Sequence, residues 1–186
     1  PNKDYLVYFP ELVGLDNSVD VNSALKELAG VKPIPAHTQL ESSYTGDFNL
    51  TFYKKNLLVI EITGYDYPFC AAHGMPVKNY AHINLKTGSL YQLKSLFKPG
   101  SSYVKVISDI IGDQIKSNGE FSYLFPDEYK GIQTNQPFYI SETGVNIYFK
   151  PYEIAAFAAG FPTFFIPFED LKDIIDVNSD FWKSIH

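Results

Sequence analysis

The segment from Phe138 to Phe168 constrains the fold of this chain more than any other. Two strand-like runs flank a turn at Glu142-Thr143-Gly144, and a third strand follows at residues 164–168. Between the second and third strands, Pro151 and Gly160 interrupt the backbone pattern twice. This arrangement predicts an antiparallel meander with a shaped corner between its last two strands. Such a corner can present side chains to a partner, but it indicates no particular reaction.

The remainder of the chain shows further strand and helix patterns. Strands are predicted at residues 5–9, 48–53, 57–65, 77–85 and 90–93. A short helix is predicted between a cap at Asn17 or Ser18 and a stop at Gly30. The longest helix is predicted from a cap at Ser101 or Ser102 to about Asn118, with an apolar stripe at helical spacing, and a further short helix at 169–175. Hairpins interrupted by helices indicate an α+β fold: an antiparallel β-sheet of hairpins and a C-terminal meander, with one long amphipathic helix and two shorter helices packed on it.

The length of 186 residues suits a single domain spanning 1–186. Two joined halves, 1–56 and 57–186, are the alternative, and the proline-containing connection at 31–37 is the most natural internal boundary. No apolar run approaches the roughly 20 residues of a membrane-spanning helix. The chain starts at Pro1, so we expect it to be part of a longer protein, one that is either exported or attached to a membrane.

The charge composition argues against nucleic-acid binding. All 15 basic residues are lysines and the net charge is -6. Arginine is the preferred bidentate partner of phosphate and guanine, so its absence from an acidic chain removes the usual means of nucleic-acid recognition.

Cys70 and His73 form the first candidate for chemistry, because a thiolate beside an imidazole can act as a nucleophile with its base. Catalytic cysteine and histidine usually come from separate segments of a chain, and no orienting Asn or Asp is indicated here. We therefore prefer the interpretation of a small buried cysteine and a histidine bonded to the backbone at a strand end. No catalytic residue and no cofactor are predicted.

The four histidines show no metal-binding spacing such as H-x-H or H-E-x-x-H. His82 alternates with Tyr80 and Asn84, which predicts that it lies on the wetter face of a strand. A site made of His73, Asp66 and Glu153 could form only through the tertiary fold, and we predict no metal.

Carboxylates provide the last catalytic alternative, because a glycosidase requires two of them about 5–10 Å apart. The candidates are Glu61, Asp66, Glu153, Glu169 and Asp170. The sequence gives no separation between them, and the last two more simply favour the N-terminus of a following helix.

Aromatic residues cluster around the two corners of the chain that Gly and Pro interrupt. They are Tyr65, Tyr67, Phe69, Tyr80, Tyr152, Phe157 and Phe161. Most of them are expected in the core. Tyr152 is the one most suited to contact a partner, since loops on rigid scaffolds often carry function.

Several motifs resemble one domain family. Residues 138–155, ending in Lys150-Pro-Tyr-Glu-Ile-Ala, and the stretches Ala71-Ala-His-Gly74 and Asn84-Leu-Lys-Thr-Gly88 resemble the C-terminal domain of unknown function of RsiV- and PdaC-type bacterial envelope proteins. That family includes a lysozyme-sensing anti-sigma factor and a peptidoglycan deacetylase. The resemblance covers residues 57–175. It departs from the family at Cys70 or Ala71, where glycine is common, and at Ala156-Phe157, where Pro-Tyr is common.

The resemblance implies a non-catalytic binding or sensing module that lies outside the cell membrane, because deacetylase chemistry in such proteins belongs to a separate domain. Its partner would be a protein such as lysozyme or a cell-wall glycan. The residues predicted to contact it are Tyr152, Glu153, Phe157, His73 and Tyr67, and those predicted to shape the loops are Pro151, Gly160 and Gly74. A weak cell-wall hydrolase and a structural spacer are the alternatives.

Overall fold

A computed structural model describes residues 4–15, 17–117, 119–125 and 127–186. The chain divides into two compact units, Pro1–Tyr91 (unit 1) and Gln92–His186 (unit 2). The division does not fall at residue 56, because the hairpin formed by residues 42–68 crosses that position. It does not fall within residues 31–37 either, since these lie inside unit 1.

Unit 1 contains a four-stranded sheet in the order β1 (Tyr5–Val7), β2 (Ser42–Lys54), β3 (Leu57–Pro68) and β4 (Met75–Asn84). Strands β2, β3 and β4 pair antiparallel, whereas the short β1 pairs parallel with β2. The predicted hairpin around Lys55 is confirmed. Strand β2 begins six residues earlier than predicted, because its polar, glycine-containing first half pairs with the second half of β3.

Helix α1 (Ser18–Leu28) supplies one side of the core of unit 1. Its buried Val21 and Leu25 belong to the same cluster as Ile60 and Ile62 of β3 and Ile83 of β4. The helical spacing that predicted this element therefore marks the face that contacts the sheet.

His82 does not lie on a wet face, so that prediction is wrong. Its exposed fraction is 1%, and its strand neighbour Val59, together with Leu57 on the same face, is fully buried. Alternation along β4 predicted one dry and one wet face, but both faces are covered at this end of the sheet. Burial lowers the pKa of His82 to about 3.

Unit 2 contains a three-stranded antiparallel meander in the order β5 (Phe138–Ile140), β6 (Gly144–Tyr148) and β7 (Thr163–Pro167). The central strand β6 is buried along its whole length. Helix α2 (Tyr103–Ser117) buries Tyr103, Ile107 and Ile111, which lie on the predicted stripe. Its predicted end at Asn118 lies outside the described residues.

Two predicted elements are wrong, one at the border between the two units and one inside unit 2. The predicted strand at residues 90–93 is reduced to a bridge between Leu90 and Ile83, followed by a 3₁₀ turn at Leu93–Leu96. The predicted helix at 169–175 is a 3₁₀ turn, Phe168–Leu171, and the third helix is α3 (Asp180–Ile185). Further 3₁₀ turns occupy Gly119–Phe121 and Phe157–Ala159. The predicted α+β class, with largely antiparallel sheets, is confirmed.

Acid should destabilise unit 1 through His82. The unfolded chain takes up a proton below the ordinary histidine pKa of 6.5, whereas the folded chain resists it down to about 3. The stability contributed by neutral His82 is therefore complete above about pH 6.5, and decreases by up to ~1.4 kcal/mol per pH unit below it. Because the single tryptophan, Trp182, lies in unit 2, hydrogen exchange of the β3 and β4 amides is the suitable measurement.

The variant His82→Phe cannot be protonated and should lose this decrease between pH 7 and pH 5. His37→Asn removes a histidine from an exposed position and is the matched control. Equal pH slopes for the wild type and His82→Phe would contradict the assignment.

Candidate functional site

The connection between β6 and β7 forms a closed loop of residues 150–161. Its base is joined where the Phe149 N–H donates to the Pro162 carbonyl oxygen at 3.0 Å. Gly160 ends the loop's 3₁₀ turn with φ 64° and ψ -119°, a combination that only glycine adopts readily. The loop is therefore a compact surface loop whose ends are held together by the sheet.

The first four residues of this loop form a β-turn, here called the 150–153 turn. The Glu153 N–H donates to the Lys150 carbonyl oxygen at 3.1 Å. Pro151 occupies the second position, and Tyr152 occupies the third with φ 69°. A positive φ at the third position defines a type II turn, which favours glycine or asparagine there. A tyrosine at this position costs about 1–2 kcal/mol relative to an unstrained backbone.

Glu153 stabilises the 150–153 turn directly. Its Oε2 accepts a hydrogen bond from the Lys150 N–H at 2.8 Å, so backbone and side chain close the turn together. Glu153 is thus partly committed to shaping the loop, a role that the sequence assigned to Pro151 and Gly160 instead.

The Tyr152 side chain projects from the turn with 51% of its surface exposed. Its ring centroid lies 5.8 Å from that of the half-buried Phe157. Phe157 therefore lies beside the Tyr152 ring and supports it.

A second β-turn lies beside the first and is here called the 133–136 turn. The Gln136 N–H donates to the Gln133 carbonyl oxygen at 3.1 Å. The Tyr103 hydroxyl donates to the Thr134 carbonyl oxygen at 2.9 Å, and the buried Gln136 side chain donates to the Tyr148 carbonyl oxygen at 2.9 Å. These bonds attach the turn to helix α2 and to strand β6.

The two turns enclose an open groove of about 530 Å³, here called the two-turn groove. Its lining residues are Gln133, Asn135, Gln136, Pro137, Lys150, Pro151, Tyr152 and Glu153. A volume of this size is typical of small-ligand sites. Amide side chains both donate and accept hydrogen bonds, so Gln133 and Asn135 suit a ligand with amide or hydroxyl groups.

One wall of the groove is formed by residues 133–137, none of which was predicted as a site residue. No element was predicted in that segment either, and its amides carry no motif. Two turn signals, Asn135 and Pro137, were present, but they did not indicate that this segment faces the 150–153 turn.

The remaining predicted contact residues lie in unit 1: Tyr67 near the end of β3, and His73 in the connection between β3 and β4. The Tyr67 hydroxyl donates to the Ala71 carbonyl oxygen at 2.9 Å, and His73 Nδ1 lies 2.9 Å from the Gly74 carbonyl oxygen. Gly74 is buried where an added Cβ would lie 2.5 Å from the Asp66 carbonyl oxygen. The hydrogen bond of Tyr67 braces the connection. The close approach of the Asp66 carbonyl oxygen excludes any side chain at position 74.

Cys70 is exposed, so its predicted burial is wrong. The Ala71 N–H donates to the Pro68 carbonyl oxygen at 3.1 Å, which closes a turn with Cys70 at its third position and φ 68°. Cysteine is strained in this left-handed backbone, which glycine adopts without strain.

Three of the candidate carboxylates, Glu61, Glu153 and Glu169, have structural partners. Glu61 Oε1 accepts from the Tyr80 hydroxyl at 2.5 Å and lies 3.9 Å from Lys78 Nζ.

Among the residues that the structure describes, no three His, Cys, Asp or Glu side chains gather to form a metal site. Within the same residues, no helix is long and apolar enough to cross a bilayer.

The segment that contains the groove matches a known protein family. Residues 94–169 match a family described as proteins of unknown function, DUF3298. The match lies within unit 2. The matched segment contains the whole two-turn groove and excludes the β3–β4 connection of unit 1.

Proteins similar to this chain include one curated protein and two solved structures. The chain is 25% identical over 143 residues to the Bacillus subtilis (strain 168) peptidoglycan-N-acetylmuramic acid deacetylase PdaC, a match over 75% of this chain and 30% of PdaC. A DUF3298 member from Bacteroides fragilis NCTC 9343 has the same fold, with a TM-score of 0.63 and 21% identity over 90% of this chain and 66% of that one. A DUF3298 protein from Pseudomonas aeruginosa PAO1 has a TM-score of 0.62 and 17% identity over 82% and 69%. The chain thus spans less than a third of the deacetylase.

The positive φ at Cys70 predicts that Cys70→Gly stabilises unit 1 by about 1 kcal/mol, because glycine removes the left-handed strain. Ala71→Gly is the matched control, since Ala71 has no positive φ and glycine there should destabilise by about 0.5–1 kcal/mol. Chemical denaturation followed by hydrogen exchange in β3 measures both changes. If both variants destabilise unit 1 equally, the strain is not located at Cys70.

Proposed function

We propose that this chain is a non-catalytic binding module of a bacterial envelope protein, acting outside the membrane, and that its two-turn groove binds fragments of cell-wall glycan. The observation that carries this proposal is Tyr152. A large aromatic side chain occupies a strained backbone position that favours glycine, and it is half exposed at the rim of a polar groove. Strain that is retained in this way is typical of functional sites.

The chemistry of the groove supports a saccharide ligand. An exposed tyrosine ring offers a flat apolar surface with a polar edge, while the amides of Gln133 and Asn135 offer paired donors and acceptors. The likeness to PdaC, which is named for its action on peptidoglycan, supports an envelope setting for this chain.

A protein ligand such as lysozyme is the other partner class implied by the resemblance. A stable protein interface usually involves about 20–30 residues on each partner, whereas eight residues line this groove. The groove therefore favours a small ligand, and lysozyme is a separate arm of the test.

The variant Tyr152→Gly should separate binding from stability. It removes the exposed ring and the backbone strain together, so unit 2 should gain about 1 kcal/mol of stability while muropeptide affinity falls about tenfold or more. Calorimetric titration with muropeptides and with lysozyme measures binding, and Trp182 fluorescence during denaturation reports on unit 2.

Two controls accompany this variant. Cys70→Gly relieves a similar turn in unit 1 and should leave binding unchanged, and Tyr53→Ala removes a tyrosine that is 68% exposed elsewhere. Unchanged affinity in Tyr152→Gly, or no binding of either ligand at millimolar concentration, would overturn the proposal.

A further inference from the structure

Lys150 is the one cationic residue among those lining the two-turn groove. Its main chain is held on both sides, because its N–H donates to Glu153 Oε2 and its carbonyl oxygen accepts from the Glu153 N–H. The Cα of Lys150 is therefore fixed at the groove, although the side chain is exposed. Because the backbone of Lys150 is already ordered, less entropy is lost when its side chain binds an anion.

The ammonium group of Lys150 forms no ion pair within the described part of the chain. The ion pairs found there involve Lys78, Lys105, Lys116 and Lys172. The neighbouring carboxylate of Glu153 instead accepts a backbone N–H, more than 4.0 Å from Lys150 Nζ. The groove thus presents a cation that its own acidic neighbour leaves available.

The overall charge of the chain and the local cation act on a bound ligand at different distances. The net charge of -6 disfavours anions at long range, but salt screens exposed charges beyond about 8 Å at physiological ionic strength. Inside the groove, a ligand carboxylate meets the Lys150 ammonium, neutral amide groups and the Glu153 carboxylate, one oxygen of which already accepts the Lys150 N–H. Charge-assisted hydrogen bonds of this kind are stronger than neutral ones.

We propose that the ligand of the two-turn groove carries a free carboxylate that binds the Lys150 ammonium while a neighbouring apolar or ring surface lies against Tyr152. This inference rests on the proposed function and narrows its ligand from any wall glycan to an acidic saccharide or saccharide-peptide. A neutral oligosaccharide of N-acetylglucosamine lacks the required group and should bind weakly.

The test compares one muropeptide in two forms, with its carboxylates free and with the same carboxylates converted to amides, by calorimetric titration of the whole 186-residue chain. The wild type should bind the acidic form about tenfold more tightly than the amidated form. Lys150→Gln should bind both forms equally, with the affinity that the wild type shows for the amidated one. Lys94→Gln, an exposed lysine of the same unit outside the groove, should keep the preference.

The outcomes distinguish this inference from the proposed function. Equal binding of both forms by the wild type, with affinity still lost in Tyr152→Gly, overturns the carboxylate contact and leaves the glycan site. A preference that survives in Lys150→Gln also overturns it. Binding of lysozyme without any muropeptide overturns the carboxylate contact and the glycan ligand, and no binding at all overturns both proposals.

Discussion

The buried strand β6 is the constraint on which the candidate site depends. All five of its residues are buried between β5 and β7, so its backbone position is determined by the meander on both sides. Its last residue, Tyr148, donates its N–H to Pro137 and accepts from the Gln136 side chain, and the next residue, Phe149, bonds to Pro162. One strand end therefore anchors the 133–136 turn and the base of the loop that contains the 150–153 turn. Because both turns share this anchor, the groove between them is formed before any ligand arrives, which reduces the ordering cost of binding.

Two turns in the chain have the same backbone pattern and different consequences. Cys70 and Tyr152 both hold the third position of a hydrogen-bonded turn with φ close to 70°. At Cys70 the side chain is small and no groove-lining role is seen, so the strain has no evident benefit. At Tyr152 the same strain places a large ring at the rim of a groove, with Phe157 beside it. The backbone strain at Cys70 and at Tyr152 is similar, but only Tyr152 lines the two-turn groove. The strain at Tyr152 is therefore the one associated with the candidate site.

The extent of the family match agrees with this distribution. The DUF3298 segment, residues 94–169, includes both turns and the meander, whereas the connection containing Cys70, His73 and Gly74 lies before it. Hydrogen bonds within that connection account for the hydroxyl of Tyr67 and for His73 Nδ1. The site assembled from sequence thus separates into a groove in unit 2 and a braced hairpin connection in unit 1, each with its own role.

The sequence by itself determined the α+β class, the meander, the amphipathic helix α2 and the corner at Tyr152, because these follow from local periodicity and from Pro and Gly, which act on the backbone within a few residues. It did not determine that β1 pairs in parallel, that His82 is buried or that Cys70 is left-handed. Burial of His82 depends on what covers the second face of a sheet, and alternation along a strand does not report this. Only the tertiary structure placed residues 133–137 opposite the 150–153 turn, because that proximity depends on hydrogen bonds to β6 and α2 rather than on any local pattern.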